Sequence, residues 1–350
     1  MDTGNKKMAL NPKVSIIIPV YNGSNYMKEA IDSALAQTYQ NTEVIVVNDG
    51  SDDKGKTEAI AKSYGDKIRY FYKKNGGVAT ALNLGIQRME GEYFSWLSHD
   101  DLFYPEKTEK QIDFIDSHPG AEIVFCNPEI IDGFGRTTSR LDYQEGPEKL
   151  RGAIHFWDLF IYACSLLVHK SCFSKVGMIN EKNKTTQDIE FILMLLHHYD
   201  VWHLKKILVK RRDHQESGYY RLNKTVLQEI ESLLFNLLKR YGILFFYSDA
   251  PDMTDSNIKA AFTYQKIGDL NFEKAQSFST YCYQKSVELH PSLLNFSKYK
   301  YWILSSNSSS AITIFNHLKK IRQKINGIFY RIISILHSIA KKTKTKPVNY

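Results

Sequence analysis

Ser98-His99-Asp100-Asp101 follows directly on a greasy run that includes Tyr93, Phe94, Trp96 and Leu97. A strand that surfaces onto two adjacent carboxylates suggests a ligand site. Carboxylates cannot bind phosphate directly, but a divalent cation bridges the two, and hard oxygen donors suit Mg²⁺ or Mn²⁺. Such an ion would neutralise a departing diphosphate and act as a Lewis acid. Asp49 and His214 close two other strand-like runs. Each residue alone has a plainer reading. Asp101 could cap a helix starting near Pro105, Asp49 could serve a turn, and His214 could be structural. Their ordered arrival at one place carries more weight than any of them singly.

That place follows from the elements. Residues 14–20, VSIIIPV, form a continuous apolar run, as expected of a strand covered on both faces in a parallel sheet. Residues 43–47, 68–72 and 93–97 read as three further strands. Helical spacing over 26–37, with Met27, Ala30, Ile31, Ala34 and Leu35 on one face, and over 57–63 and 78–89 fills the intervals. This alternation predicts an α/β layered domain with right-handed crossovers. The polar groups that follow the four strands are Tyr21-Asn22, Asp49-Gly50-Ser51, Asn75-Gly76-Gly77 and Ser98-His99-Asp100-Asp101. All four should face the crevice at the strand C-termini, where open α/β sheets bind ligands. Residues 122–126, 165–169 and 202–210 read as later strands, and 187–198 and 225–241 as helices.

No G-x-G-x-x-G follows the first strand and no G-x-x-x-x-G-K-[ST] occurs, which excludes the common dinucleotide and P-loop signatures. YNGSN, at the first turn, lacks the Lys or Arg that a nucleotidyltransferase loop would want. The four cysteines, Cys126, Cys164, Cys172 and Cys282, form no C-x-x-C pair and fit a reducing compartment. Neither a signal peptide nor an uninterrupted apolar span is expected, so a cytoplasmic protein is anticipated.

The stretches VSIIIPVYNGSNYMKEAIDSALAQTYQNTEVIVVNDGSDD, NGGVATALNLGI and GEYFSWLSHDDLFYPEK closely resemble the family 2 glycosyltransferases, over roughly residues 12–216. The resemblance implies a GT-A fold (a Rossmann-like nucleotide-diphospho-sugar transferase domain) and inverting transfer of a sugar from a nucleotide donor, UDP being favoured. It implies that Pro19, Tyr21 and Asn22 hold the base, with Tyr21 stacking, and that Asp49 reads the nucleoside. Asn75, Gly77 and Asn83 would lie near the donor. Ser98-His99-Asp100 takes the place of the D-x-D motif, with Asp100 the metal ligand. Asp188, in Thr186-Gln187-Asp188, stands for the general base, and His214 for a histidine that closes the site and reaches the metal. Three positions depart from the family pattern: Ser98 replaces the first Asp, Leu82 an Arg, and Gln187 a Glu. The departures touch donor contacts and leave Asp100 and Asp188 in place. They also leave a non-catalytic nucleotide-sugar or partner-binding protein of the same fold as the alternative.

The expected organisation is a GT-A domain over 1–224, a helical region over 225–310 and a basic tail over 311–350. Residues 256–291 loosely resemble one tetratricopeptide repeat, with a packed helical hairpin as the other reading. Residues 311–346 place Ile314, Leu318, Ile321 and Ile325 at helical steps, with nine Lys/Arg and no Asp/Glu. This suits an anionic membrane surface, or a helix packed on its neighbours or on a second copy. The basic excess is confined to this end: residues 1–224 carry 29 basic and 30 acidic side chains, and residues 225–350 carry 17 and 8. No motif for reading nucleic acid accompanies it. The expectation is a peripheral, metal-dependent enzyme acting on a glycan or lipid-linked acceptor in cell-surface polysaccharide synthesis.

Overall fold

The computed structural model describes residues 11–144, 148–153, 155–159, 161–217, 223–246, 256–271 and 276–289. The chain forms two compact units, Met1–Met253 and Thr254–Tyr350. In the first unit β1 (Val14–Val20), α1 (Met27–Leu35), β2 (Thr42–Asn48), α2 (Lys56–Lys62), β3 (Arg69–Tyr72), α3 (Val78–Arg88) and β4 (Tyr93–Trp96) alternate as the sequence predicts. They are followed by β5 (Leu102–Phe103), α4 (Lys107–Ser117), β6 (Ile123–Ile131), β7 (Thr137–Arg140), β8 (Lys149–Leu150) and α5 (His155–Asp158). The unit continues through β9 (Leu167–His169), α6 (Phe173–Val176), α7 (Gln187–His198), β10 (Val201–Arg212) and α8 (Asn223–Tyr241).

Among the described residues ten strands make one mixed sheet in the order β3-β2-β1-β4-β9-β6-β10-β5, with β7 beside β6 and β8 beside β10. The first four strands are parallel. Antiparallel β9 joins β4 to β6. The long β10 runs parallel to β6. Every residue of β1 is buried, as its apolar run requires of a strand covered on both faces. Helix α3 lies so close on β1 that a Cβ at Gly85 would sit 2.4 Å from Ile17 Cγ2.

At the foot of the sheet Glu43 is buried. It accepts bonds from Ser15 Oγ at 2.5 Å, Arg69 at 2.5 Å and the Glu90 amide at 2.6 Å. Burial opposes its ionisation, but these donors outweigh burial and hold its pKa below the usual carboxylate value.

The expected GT-A domain over 1–224 lies within the first unit, which continues to Met253. Helix α8 belongs to it: Glu229 binds residues 184–186, and Phe245, just beyond α8, packs against His197 with ring centroids 4.6 Å apart. The second unit contains α9 (Ser256–Asn271) and α10 (Gln276–Leu289), a helical pair with Ala261, Phe278 and Cys282 buried. Tyr283 spans the pair, donating to Asp269 at 2.8 Å. The basic stretch 311–346 lies outside the described residues. Among the described residues no helix is long and apolar enough to cross a membrane.

Candidate active site

The sheet brings its polar strand ends together as the topology demands. After β1, Asn22 takes a left-handed conformation, with φ 51°. Its amide donates to Ser51 Oγ at 2.9 Å, and its side chain exchanges bonds with Asp52. Tyr21 is exposed and donates to the same Asp52 carboxylate at 3.3 Å. Pro19 is buried inside β1, opposite Val47. Gly23 touches the β4 turn directly: a Cβ there would fall 2.6 Å from His99 Cδ2.

Asp49, after β2, is buried. Its carboxylate accepts from Lys73 at 2.6 Å and from the amides of Gly76 at 3.1 Å and Gly77 at 2.7 Å. In this structure it therefore orders the exposed loop that holds Asn75 and Gly77. Asn83 is also buried and turned to the protein. Its amide group binds the backbone of Ile179 and the Glu181 carboxylate, so it acts on the segment ahead of α7.

The β4 turn separates the two carboxylates of the opening motif. Asp100 Oδ2 lies 2.9 Å from His214 Nε2. Burial opposes ionisation of Asp100, but the His214 bond and the nearby His99 and His214 charges outweigh it and lower its pKa. Asp101 points inward. Its carboxylate accepts from the Arg212 amide at 2.8 Å, from the Tyr162 hydroxyl and from Cys164 Sγ at 3.4 Å. Burial and the Asp100 charge push its pKa up to about 7. Helix α4 begins only at Lys107, so Asp101 is no helix cap; it ties the β4 turn to the end of β10. Ser98 is held by Cys164, through its amide and its hydroxyl, each 3.3 Å from the sulfur.

Arg212 had no signal in the sequence beyond its place at a strand end, yet it organises the site. Its buried guanidinium donates to the Asp100 carbonyl at 2.8 Å, to the carbonyls of Asp132 and Gly133, and to Glu29 at 2.7 Å. It lies 4.4 Å from the Tyr26 ring centroid, and Tyr26 in turn meets His214 edge-on at 4.9 Å. One planar fork therefore fixes the β4 turn, the β6–β7 hairpin and α1 together.

Asp188 is the second residue of α7 and is half-buried. Burial raises its pKa; backbone amides and the Arg211 charge oppose the rise. Arg211 also lies 5.9 Å from the Tyr162 ring centroid, and Tyr162 donates to Asp101. Asp188 thus shares its electrostatic surroundings with the β4 turn.

Among the described residues no group of three or more His, Cys, Asp and Glu side chains could hold a metal. The Asp100–His214 pair fits an ion that takes two protein donors. It offers an ionised oxygen beside an imidazole nitrogen, and His214 Nδ1 is buried without a partner among the described residues. Mg²⁺ and Mn²⁺ sites commonly complete their shell with substrate phosphates and water.

Comparison with known proteins agrees with this architecture. The sequence profile described as glycosyl transferase family 2 matches residues 15–177. An uncharacterized glycosyltransferase of Rickettsia bellii is 49% identical over 224 residues, which cover 61% of this chain and 31% of that protein. This chain spans only about a third of the length of that relative and of two others from the genus. An uncharacterized glycosyltransferase of Rickettsia typhi is 47% identical over 240 residues, covering 67% of this chain and 74% of that protein. Residues 1–349 of S. aureus TarS, solved in complex with UDP-GlcNAc, superpose with a TM-score of 0.59 at 17% identity, over 84% of this chain and 90% of that one. The shared sheet is the GT-A fold. Identity of 47% over 74% of the R. typhi protein, together with the profile match over residues 15–177, places the chain in glycosyl transferase family 2.

Proposed function

We propose that this protein is an inverting glycosyltransferase. It moves a sugar from a nucleotide-diphosphate donor, a UDP-sugar, to a hydroxyl of a glycan or lipid-linked acceptor. The reading is supported by the contrast between two carboxylates, Asp100 and Asp188, whose surroundings push their pKa values in opposite directions. Asp100 is held ionised beside His214, and Asp188 is raised toward proton affinity at the head of α7. Structures of this fold bind such donors, as the TarS complex illustrates.

Tyr21 and Asn22 offer the exposed ring and turn that would carry the base. Asp49 and the loop it orders would meet the nucleoside, and Ser98 and His99 the ribose and phosphates. Asp100 and His214 would hold a divalent ion, which when bound offsets charge on the departing diphosphate. Asp188 takes the proton of the acceptor hydroxyl as that oxygen bonds to the anomeric carbon. The bond to the diphosphate oxygen breaks on the opposite face and the nucleoside diphosphate leaves with the electron pair. In-line displacement inverts the anomeric centre.

The test is a thermal-shift panel of UDP-, GDP- and dTDP-sugars with and without Mn²⁺, followed by transfer assays on Asp188→Asn. A UDP-sugar with Mn²⁺ should raise Tm. Asp188→Asn should keep that shift and lose about 10²–10⁴-fold in kcat. Loss of the shift instead would move Asp188 into the donor-binding shell. The basic stretch 311–346 is read as a peripheral anchor to anionic membrane on the cytoplasmic face; its nine cations and absence of acids support this.

A further inference from the structure

Glu229 of α8 lies outside residues 15–177, the segment matched by the family profile. Its carboxylate nevertheless collects four hydrogen bonds from the turn that leads into Asp188. Oε1 accepts from the Lys184 amide at 3.2 Å. Oε2 accepts from the Thr185 amide at 2.8 Å, the Thr185 hydroxyl at 2.7 Å and the Thr186 hydroxyl at 3.4 Å. Partial burial opposes the negative charge, but these donors outweigh it, and the pKa falls below the usual value.

The arrangement diverts a residue from its ordinary task. Thr186 stands at the N-cap of α7, where a threonine oxygen usually accepts from the amide two or three residues on. No such bond forms, and the Thr186 hydroxyl is turned to Glu229. The first turn of α7 is thus oriented from α8. Asp188 depends on that turn, because its carboxylate is held by its own amide and by that of Ile189 at 2.9 Å. Two other grips complete the segment. Asn83 holds Ile179 and Glu181, and Glu190 accepts from Asn180 at 2.8 Å and Asn183 at 2.6 Å. The Glu229 grip acts on Thr185 and Thr186, directly ahead of Gln187-Asp188.

We propose that Glu229 is a positioning residue for Asp188, so that α8 sets where the proton acceptor stands relative to the reacting anomeric carbon. The inference rests on the reading of Asp188 as the base. Misplacement of a reacting group by about 1 Å can cost on the order of 100-fold in rate. The loss should therefore fall on kcat and spare donor binding.

The experiment uses the full chain and the donor that gives the largest thermal shift. It measures donor Kd by calorimetry, Tm, and kcat from release of nucleoside diphosphate. Glu229→Ala and Thr185→Val should each lower kcat by about 10- to 100-fold, with donor Kd within about twofold of wild type. Thr185→Ser should restore kcat. The double variant should be no slower than Glu229→Ala, because both remove one interaction. Should Glu229→Ala fail to fold, Glu229→Gln and Thr185→Val carry the same test. Wild-type kcat in these variants, with Asp188→Asn inactive, overturns the positioning role alone. A fall in donor affinity that matches the fall in kcat, or additive losses in the double variant, overturns it too. Wild-type turnover by Asp188→Asn removes the base and this inference together.

Discussion

His203 shows how one buried ring can set a protein's tolerance of acid. It stacks on Phe125 at 4.5 Å, its Nε2 donates to Asn127 Oδ1 at 2.7 Å, and its Nδ1 is buried without a partner among the described residues. Burial, aided by the Lys205 charge and opposed by Asp142, pushes its pKa down to about 4. The folded ring stays neutral, whereas the unfolded one takes a proton below its ordinary value of about 6.5. Stability contributed by the neutral ring is therefore whole above pH 6.5 and drains away as pH falls toward 4. The slope reaches about 1.4 kcal/mol per pH unit. Urea unfolding at pH 7 and pH 5 should show this fall, and His203→Leu should flatten it; an unchanged pH dependence would refute the assignment. No such environment is legible from the sequence, in which His203 is one more residue of a strand. Asp100 and His214 were legible because each follows a strand whose C-terminus must face the crevice. Arg212 was not, because nothing in a run of basic residues tells which guanidinium turns inward.

Among the elements, those with clean periodicity were the readable ones. The first four strands and α7 stand where apolar runs and 3.6-residue spacing put them. Helix α4, which the sequence offers only as a helix starting near Pro105, runs from Lys107 to Ser117 and buries Lys107, Thr108 and Gln111 beside Ile112, Phe114 and Ile115. Lys107 donates to Ser95 Oγ at 3.1 Å and Gln111 Oε1 at 2.8 Å, and lies 4.1 Å from the Phe103 ring centroid, so polar side chains share the packed face of the helix with apolar ones. Burial lowers the Lys107 pKa to about 8. Strands β5 and β8 have two residues each, too few for any alternation to show. The close seating of α3 on β1 gives an element-scale prediction. Gly85→Ala drives a methyl into Ile17 and should cost about 1–3 kcal/mol. A shifted urea midpoint at unchanged slope would show it; a stability equal to wild type would mean that helix and strand separate freely.

For the whole molecule, the first unit's limit at Met253 carries a consequence for dissection. A chain ending at 253 retains α8 and Glu229 and should fold and bind donor. One ending at 224 loses nearly all of α8, with its buried Leu233, Leu234 and Leu237, and should lose both, as thermal shift with UDP-sugar and Mn²⁺ would record. A chain ending at 310 should keep donor binding but leave anionic vesicles in a flotation assay; continued flotation would place the membrane contact elsewhere. The fold class was legible at this scale because alternating strands and helices admit few topologies. The limit of the unit was not, since the composition turns helical near 225 while the contacts that matter run backward to 184–186.

The span of the Arg212 clasp in sequence has a temporal side. Asp100 waits for partners encoded 112 and 114 residues later. On a translating ribosome, at about 5–20 residues per second, those partners are still unmade when the early strands have emerged. The nascent chain carries Asp100 before the strand that brings Arg212 and His214 to it. A product that ends before β10 lacks both Arg212 and His214 and cannot close this clasp, however well its first strands pair.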